Sequence, residues 1–293
     1  MKILLTGASG FLGSYFINKY SLKYKIETFS FLNDNFKNLD LNDVDTVIHF
    51  SALVHQIDGA TKKEYEKVNV NQTMMLAKKS KENGIKHFLF MSSIAVYGIE
   101  TGIINGKSDC NPITDYGKSK FKAELELQKL EDDNFKIAII RPPIVNGFEA
   151  PGNMKSLINL VKKITILPFG GLENRRSMLH VGNLCHIMDT IIQKEIGGVF
   201  LVSDEKPLSS TRLLELIAQN LNKKIYLIKI PFFESFIKFI RPSIYKRLYE
   251  SLEIDNSQTM KILFGNVKSS LPFSAEDGIR FMIRGEEIYS QSN

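Results

Sequence analysis

The sequence predicts an α/β fold in which helices cover both faces of a doubly wound parallel sheet. An apolar run from Lys2 to Leu5 leads through a glycine-rich turn into a helical pattern. Strand-like runs follow near 26–31, 46–50 and 87–91, and a helical pattern over 62–83 separates the last two. Alternation of short apolar runs with amphipathic segments is typical of parallel strands joined by helical crossovers.

The pattern changes after about residue 166, where we expect a smaller α/β lobe to begin. At 293 residues and 43% hydrophobic composition, the chain is long enough for one large domain and a smaller addition. We predict one lobe over 1–165 with 178–206 and a second over 166–177 with 207–293. The elements expected in the carboxyl-terminal part are strands near 197–203 and 224–230, a helix over 211–221 capped by Ser209, and helices near 232–240 and 244–252.

Composition and charge favour a cytoplasmic protein that acts on a small molecule. The net charge of +6 comes from scattered lysines and not from a basic block, so we expect no nucleic-acid partner. Cys110 and Cys185 are too few and too isolated for a disulfide framework or a metal site, and we expect two reduced cysteines and no metal. No run is long and apolar enough to span a bilayer, and the amino terminus lacks a signal-peptide pattern.

The glycine-rich turn has the spacing of a dinucleotide-binding loop. Gly7 permits a tight turn, Gly10 permits close approach of a pyrophosphate, and Gly13 permits close packing of the helix. The unpaired N–H groups at the amino terminus of that helix would then bind the phosphates.

The second predicted strand ends without the acidic residue that grips the ribose in NAD enzymes. It reads Thr28-Phe29-Ser30-Phe31, with neither an acid nor an arginine, so the choice between NAD and NADP stays open. The following segment is short, and 36–39 is interpreted as a further strand. Asp40 at its end is either an adenine contact or a solvated turn residue.

Two polar groups are placed for acid–base chemistry. Tyr116 and Lys120 are four residues apart at the start of a predicted helix and share one face, so the Lys120 ammonium could lower the pKa of the Tyr116 phenol. Ser92 and Ser93 follow the strand near 87–91, and ligands bind at the carboxyl ends of parallel strands.

These motifs resemble those of the extended short-chain dehydrogenases/reductases, and more narrowly the nucleotide-sugar epimerases and 4-ketoreductases. The resemblance rests on the Gly7–Gly13 loop, Ser92-Ser93, Tyr116 with Lys120, and Arg141-Pro142-Pro143. It continues through 176–181 and reaches 272–278, and so covers nearly the whole chain. A Rossmann lobe that binds NAD or NADP is therefore implied.

The resemblance also implies the roles of the site residues. Ser93 would hydrogen-bond the oxygen on the reacting sugar carbon, Tyr116 would exchange its proton, and Lys120 would lower the pKa of Tyr116 and bind the nicotinamide ribose. The substrate contacts implied are His55, Ser93 and Arg176, the last to the diphosphate. Asn69 matches a cofactor-side asparagine, although Gln72 replaces the glycine that usually follows. The cofactor contacts implied are Gly7, Ser9, Gly10, Phe11, Leu12, Gly13, Asp40, Leu41, Ser51, Ala52, Asn69, Ser92, Tyr116, Lys120 and Pro143.

The resemblance allows three reactions that use these site residues: 4,6-dehydration, reduction of a 4-keto sugar and 4-epimerisation. The sequence argues clearly against the first and less clearly between the other two. A 4,6-dehydratase needs an Asp-Glu pair after the catalytic hydroxyl, where this chain has Ile94 and Ala95. The missing acid after the second strand favours a 4-ketoreductase, which releases its cofactor, over a 4-epimerase, which holds it. Further motifs resemble reductases of UDP-4-keto-6-deoxy-N-acetylhexosamines in surface polysaccharide synthesis. The alternatives are a UDP-hexose or UDP-N-acetylhexosamine 4-epimerase and a non-catalytic dinucleotide sensor.

Two expectations concern surfaces. The resemblance implies a homodimer formed through two helices of each subunit, one of which carries Tyr116. The stretch 232–247 combines phenylalanines with lysines and arginines, which fits either a helix at a membrane surface or core aromatics with solvated lysines. We expect the second arrangement, and no stable membrane insertion.

Overall fold

The computed structural model describes residues 1–54, 60–150, 152–265 and 271–285. These residues pack as two compact units. The first comprises 1–98, 107–142 and 187–201, and the second comprises 99–106, 143–186 and the residues from 202 onward. By packing, 143–165 thus belong to the second unit, whereas the predicted lobes placed them in the first. The lobe boundaries remain a prediction about cofactor and substrate binding.

The strands of the described residues are short, and half of them lie in one sheet. In chain order they are β1 (Lys2–Thr6), β2 (Lys25–Phe29), β3 (Thr46–His49), β4 (His87–Met91), β5 (Gly102–Ile104), β6 (Lys136–Arg141), β7 (Val145–Asn146), β8 (Ile166–Leu167), β9 (Leu179–His180), β10 (Gly198–Leu201), β11 (Tyr226–Leu227) and β12 (Leu252–Ile254).

The helices alternate with these strands in the amino-terminal half. They are α1 (Phe11–Tyr20), α2 (Lys62–Tyr65), α3 (Thr73–Glu82), α4 (Asp115–Gln128), α5 (Asn153–Lys163), α6 (Val181–Lys194), α7 (Ser210–Asn220), α8 (Phe233–Ile240), α9 (Pro242–Tyr249), α10 (Ser257–Phe264) and α11 (Ala275–Arg284). Among the described residues, none of these helices has the length and apolar character needed to cross a membrane.

The sheet of the first unit has the strand order β10-β6-β4-β3-β1-β2, and every pairing in it is parallel. The predicted parallel, Rossmann-type sheet is thus confirmed. From β1 the chain continues to β2 at one edge of the sheet, whereas from β3 it continues to β4, β6 and β10 toward the other edge. The topological switch point is therefore between β1 and β3. In open α/β sheets ligands bind at this point, beyond the carboxyl ends of the strands.

One predicted strand is wrong. Residues Phe36–Asn38 form a 3₁₀ helix, and the side chain of Asn35 caps it by accepting a hydrogen bond from the Lys37 backbone N–H. The Phe31 and Phe36 rings stack with centroids 5.7 Å apart, so the apolar residues of this segment fill a local aromatic cluster and do not extend the sheet. The sheet therefore ends at β2 among the described residues.

The long helix predicted over 62–83 is present but irregular. Between α2 and α3, the residues Glu66–Gln72 form a π-helix. Single π-turns inside helices are rare and are frequent at functional sites. This one carries Asn69, which is fully buried.

The second unit is built from strand pairs and helices around its own core. Its strands pair two by two, β11 with β8, β12 with β5, and β7 with β9, each in parallel. The strand predicted over 224–230 shortens to β11. As predicted, Ser209 caps α7, since its hydroxyl accepts a hydrogen bond from the Arg212 backbone N–H.

A buried carboxylate ties the turn after β9 to the core of this unit. Asp204 accepts hydrogen bonds from the His180 backbone N–H at 3.0 Å and from the Asn183 amide at 2.6 Å. His180 stacks on Phe273 at 4.2 Å, and its Nδ1 accepts from the Gly182 backbone N–H, so this histidine fixes the turn, as predicted. Burial raises the pKa of Asp204 to about 7, despite these donors.

The raised pKa predicts that stability falls as pH rises. Between the ordinary value of 3.8 and about 7, the native protein holds a proton on Asp204 that the unfolded chain releases. The free energy of unfolding should therefore decrease across this interval, and above it this dependence should end. Asp204→Asn cannot ionise, so its melting temperature should fall less from pH 5 to pH 7 than that of the wild type. Asp43→Asn, at an exposed carboxylate, controls for the lost charge. Parallel curves for wild type and Asp204→Asn would contradict this prediction.

Candidate functional site

The glycine loop after β1 has the geometry that a dinucleotide site requires. Gly7 has a φ of +77°, and a Cβ at this position would lie 2.8 Å from the Ser51 backbone nitrogen. A Cβ at Gly13 would lie 2.3 Å from the Gly7 carbonyl oxygen, so α1 packs directly on the loop. The predicted reasons for these two glycines are both met.

The amino terminus of α1 fits a pyrophosphate. Its N-cap is Gly10, which offers no side chain to satisfy the first N–H groups, and its first turn contains no acidic residue. Ser9 and Gly10 are exposed, and Phe11 and Leu12 are partly exposed. Backbone N–H groups at a helix amino terminus bind phosphate with the help of the helix dipole. This donor set fits the diphosphate of NAD or NADP.

The residues after β2 and near the short 3₁₀ helix offer less to the cofactor. The Ser30 backbone N–H donates to the Asp34 carboxylate at 2.7 Å, so this acid is engaged within its own turn. Asp40 is exposed and accepts from the Asn42 N–H at 2.9 Å, as a turn aspartate does. The Leu41 side chain is buried in the core. Contacts of Asp40 and Leu41 with the adenine remain predictions.

A chain of buried hydrogen bonds crosses the switch point. The Ser51 backbone N–H donates to Thr6 Oγ1 at 3.3 Å, and Thr6 Oγ1 lies 2.7 Å from His49 Nδ1. On the other side of the ring, His49 Nε2 lies 2.9 Å from Thr73 Oγ1, which donates to the Asn69 carbonyl at 2.8 Å. Because the Thr73 proton is used there, the imidazole must carry its own proton on Nε2.

His49 is therefore a neutral structural residue. Burial, together with the charge of Lys120, lowers the pKa of His49 to about 3. The ring joins β1 and β3 to α3 without bringing a charge beside the cofactor loop. Sequence reasoning did not single out this histidine, because its two threonine partners lie 43 and 24 residues away.

Both polar atoms of the Asn69 side chain form hydrogen bonds within the protein. Its Oδ1 accepts from the Leu53 N–H at 2.8 Å, while its Nδ2 donates to the Leu53 carbonyl at 3.0 Å and to Ser119 Oγ at 2.9 Å. Ser119 Oγ in turn donates to the Tyr116 carbonyl at 2.8 Å. Asn69 thus positions the segment after β3, which includes the partly exposed Ser51 and Ala52, against α4. Direct contact of these residues with the cofactor remains a prediction.

Ser93, Tyr116 and Lys120 come together in the first unit. Ser93 ends the segment after β4, and its hydroxyl hydrogen-bonds the Tyr116 phenol near the start of α4. The Tyr65 ring packs edge-on against Tyr116 with centroids 6.2 Å apart. Lys120 lies one turn further along α4, donates to the Met91 carbonyl at 2.7 Å and sits 4.6 Å from the centroid of the Phe90 ring.

The pKa values of this group differ from the expected pattern. Burial raises the pKa of Tyr116 to about 12, while the Ser93 hydrogen bond opposes the rise. Burial lowers the pKa of Lys120 to about 7, against the charge of Glu124. The expected lowering of the Tyr116 pKa by Lys120 is therefore not observed, and at neutral pH the phenol is a proton donor. To act as a base, it needs positive charge nearby, which Lys120 can supply only when it is protonated.

Behind these residues lies a buried ionic network that the sequence motifs did not reveal. Glu124 is 1% exposed and accepts from Ser92 Oγ and from both Nε and Nη2 of Arg141. Arg141 also donates to the Tyr97 hydroxyl at 2.9 Å. The hydroxyl of Ser92 is therefore directed at Glu124. The spacing of Lys120 and Glu124 on one helical face was the available signal.

Of the other predicted site residues, Arg176 and Pro143 belong to the second unit. Arg176 is partly buried in the second unit, where its Nη1 donates to the carbonyls of Lys246 and Glu250 at 3.1 Å and so caps the end of α9. Pro143 is buried. His55 lies outside the described residues. The roles assigned to these three remain predictions.

The comparison with protein families decides the assignment. A model described as the NAD dependent epimerase/dehydratase family matches residues 3–203. The chain belongs to this family. Its members' cofactor is a nicotinamide dinucleotide, so the loop and helix geometry of this epimerase/dehydratase-family protein is that of an NAD or NADP site.

Known relatives act on activated sugars. The chain is 33% identical to a UDP-glucose 4-epimerase of Vibrio cholerae, with 89% of each chain covered. It is 28% identical to an N-acetyl-alpha-D-glucosaminyl-diphospho-ditrans,octacis-undecaprenol 4-epimerase of Escherichia coli O157:H7, over 79% of this chain and 76% of that one. The fold matches a UDP-glucuronic acid 4-epimerase of Bacillus cereus in complex with NAD, with a TM-score of 0.73, 19% identity and 97% of both chains covered.

Because the glycine loop is closely packed, we predict that one added methyl group at Gly13 destabilises the protein. Gly13→Ala would force α1 away from the loop, and overpacking of this kind typically costs about 1–3 kcal/mol of unfolding free energy. Ser14→Ala, at the next and exposed position of α1, should have little effect. Urea unfolding measures both, and equal stabilities of the two variants would contradict the proposed packing.

The buried ion pair predicts strong coupling. Glu124→Gln or Arg141→Met alone leaves a buried charge unpaired and should cost about 3 kcal/mol. The double variant should cost clearly less than the sum of the two. The exposed pair of Glu126 on α4 and Lys129 directly after it is the matched control, and its removal should change stability little. Additive losses at Glu124 and Arg141 in urea unfolding would contradict this interpretation.

Proposed function

We propose that the chain is a nucleotide-sugar 4-epimerase that acts on a UDP-hexose or UDP-N-acetylhexosamine. The observation that carries the proposal is the hydrogen-bonded pair of Ser93 and Tyr116 with Lys120 one turn away, beside a dinucleotide loop. The similarity to a UDP-glucose 4-epimerase over 89% of each chain supports the reaction at C4.

In this mechanism, each side chain has one task. Tyr116 takes the proton of the C4 hydroxyl and later returns it, while Ser93 donates a hydrogen bond to the same oxygen. Lys120 supplies the positive charge that favours the ionised phenol when it is protonated. NAD or NADP, when bound, accepts and returns the C4 hydride. The 4-keto sugar must turn between the two transfers for the configuration to invert.

The positions after Ser93 argue against elimination of water from the sugar. Ile94 and Ala95 begin a short 3₁₀ helix and carry no group that can transfer a proton. One relative is a dTDP-D-glucose 4,6-dehydratase of Dictyostelium discoideum, 27% identical over 71% of this chain. The proposed reaction therefore includes hydride transfer at C4 and no elimination of water.

A second candidate is the 4-ketoreductase that the sequence favoured, acting on a UDP-4-keto-6-deoxy-N-acetylhexosamine. The observation in its favour is the end of β2, where Ser30 replaces the ribose-binding acid and Asp34 is engaged with the Ser30 N–H. A weaker hold on the adenosine half suits a cofactor that is exchanged in each turnover. The two reactions differ in whether the cofactor is consumed.

The oligomeric state is part of the proposal. We expect a homodimer in which α4 and α3 of each subunit pack together. Leu125 on α4 and Met75 on α3 are large apolar side chains with more than a third of their surface exposed, which supports such an interface. Sedimentation velocity of wild type and Leu125→Glu measures the state directly.

Removal of one hydroxyl group tests the chemistry. Tyr116→Phe should lower kcat for conversion of UDP-glucose or UDP-N-acetylglucosamine to its C4 epimer by about 10²–10⁴-fold, because the proton acceptor is lost. Tyr65→Phe is the matched control, since its hydroxyl contacts only the Val54 carbonyl at 3.3 Å among the bonds described. Cofactor binding should be retained in both variants.

The same assay separates the two candidates. Formation of the C4 epimer without net change in nicotinamide absorbance supports the epimerase. Stoichiometric oxidation of NADH or NADPH by a UDP-4-keto-6-deoxy-N-acetylhexosamine, with no epimerisation of either UDP-sugar, would replace it with the ketoreductase. Cofactor binding with no turnover of any of these substrates would exclude both enzymes and favour a dinucleotide sensor.

A further inference from the structure

The region around α8 exposes large aromatic side chains. Phe232 and Phe239 are each 88% exposed and Phe236 is 57% exposed, which contradicts the expectation of core aromatics in this stretch. With Ile240, these residues form what we call the aromatic surface. No residue of α8 is fully buried.

The packing of α8 holds this surface outward. Phe233 contacts the second unit's core, with its ring 6.4 Å from that of Phe169, and α8 is followed at once by α9. Phe236, Phe239 and Ile240 lie within one arc of the helix beside Phe233, since successive residues turn by about 100°. Phe232 has a φ of +62°, a left-handed conformation that is unusual for a bulky side chain. The exposure of these side chains therefore follows from the packing of Phe233 and from the backbone conformation of Phe232.

Basic residues outnumber acidic residues in the sequence around the aromatic surface. Between residues 229 and 249 there are five basic residues and one acidic residue, and one of the five, Lys246, forms an ion pair with Glu100. The acid, Glu234, accepts a hydrogen bond from the Tyr245 hydroxyl. Lys238 and Arg241 are exposed on and directly after α8, and the Lys238 ammonium lies 5.1 Å from the Tyr245 ring centroid.

We propose that the aromatic surface docks on an anionic phospholipid membrane, with the rings of Phe232 and Phe239 placed at the boundary of headgroups and acyl chains. Aromatic side chains on one side of a short helix, with a lysine on another side and an arginine directly after the helix, are features of interfacial helices. Anionic headgroups attract such basic residues within about a Debye length. This binding is peripheral, and it does not depend on which C4 reaction the chain catalyses.

Charge distinguishes a membrane from a second copy of the chain. Two aromatic surfaces in a symmetric dimer would bring their lysines and arginines together, and this like-charge repulsion opposes the contact. An anionic lipid surface satisfies both the apolar and the basic groups. This complementarity selects the membrane as the occupant.

The absence of tryptophan from the sequence makes a specific reporter possible. In the full-length protein, Phe239→Trp should give an emission that shifts to shorter wavelength when vesicles of phosphatidylcholine with phosphatidylglycerol are added. Phosphatidylcholine vesicles should cause a much smaller shift, and added salt should weaken binding. Leu32→Trp, at a side chain that is 94% exposed on the first unit, should not respond.

Vesicle sedimentation then measures the contribution of the rings. Phe232→Gly combined with Phe239→Ser should lower the partition coefficient by at least about tenfold, because the variant lacks the two aromatic rings that the wild type transfers from water into the membrane. Glycine at 232 tolerates the left-handed backbone, so this variant should fold normally, as circular dichroism can check. Leu22→Ser with Leu32→Ser removes equally exposed leucines elsewhere and should bind like wild type.

Several outcomes would overturn the proposal. Failure of the wild type to sediment with mixed vesicles would do so, as would equal binding of the wild type and the Phe232/Phe239 variant. Another outcome is that the wild type does not bind vesicles and sediments as a dimer, while the Phe232/Phe239 variant sediments as a monomer. A second copy of the chain would then be the occupant of the aromatic surface. Retained activity on a UDP-sugar in water, measured in parallel, keeps this result separate from the test of the enzyme.

Discussion

The buried ion pair of Glu124 and Arg141 is the interaction on which the arrangement of the catalytic side chains depends. Glu124 is one helical turn after Lys120, and its partner Ser92 is adjacent to Ser93. Arg141 ends β6 and reaches the Tyr97 hydroxyl on the short helix after Ser93. Removing two charges from water is costly and is offset only when their hydrogen bonds are well formed. Because the partners come from three elements, the pair fixes α4 against the ends of β4 and β6.

The fold was predictable where local patterns determine it. The glycine loop, the alternation of strands and helices, and β4 in particular follow from apolar runs and turn residues that lie close together in the chain. Two features were not predictable in this way. Phe36 has the apolar character of a strand residue but packs on Phe31, and the π-helix carries Asn69, whose side chain hydrogen-bonds Leu53 and Ser119. Contacts of this kind are tertiary and override local preference.

The candidate site shows the same division. Helical spacing identified Tyr116 and Lys120 correctly as neighbours on α4, and strand topology placed Ser93 near them. Their protonation could not be deduced from spacing, because burial shifts the pKa of both groups more than their proximity does. His49 and Glu124 escaped notice since each depends on partners far away in sequence. Local motifs thus indicate which groups react, whereas the packed environment sets their proton affinities.

The position of β2 at the edge of the sheet, with no further strand beyond it in the described part of the chain, has a consequence for the behaviour of the protein in a crowded cell. β2 is left as the outer strand of the sheet, and an outer strand can recruit a strand from another molecule. Here its first residues are charged: Lys25 and Glu27 lie 3.7 Å apart, and Glu27 also pairs with Lys2 at 3.1 Å. Desolvating these charges in a strand-to-strand contact would be unfavourable. The charged residues of this edge strand therefore protect it against aggregation.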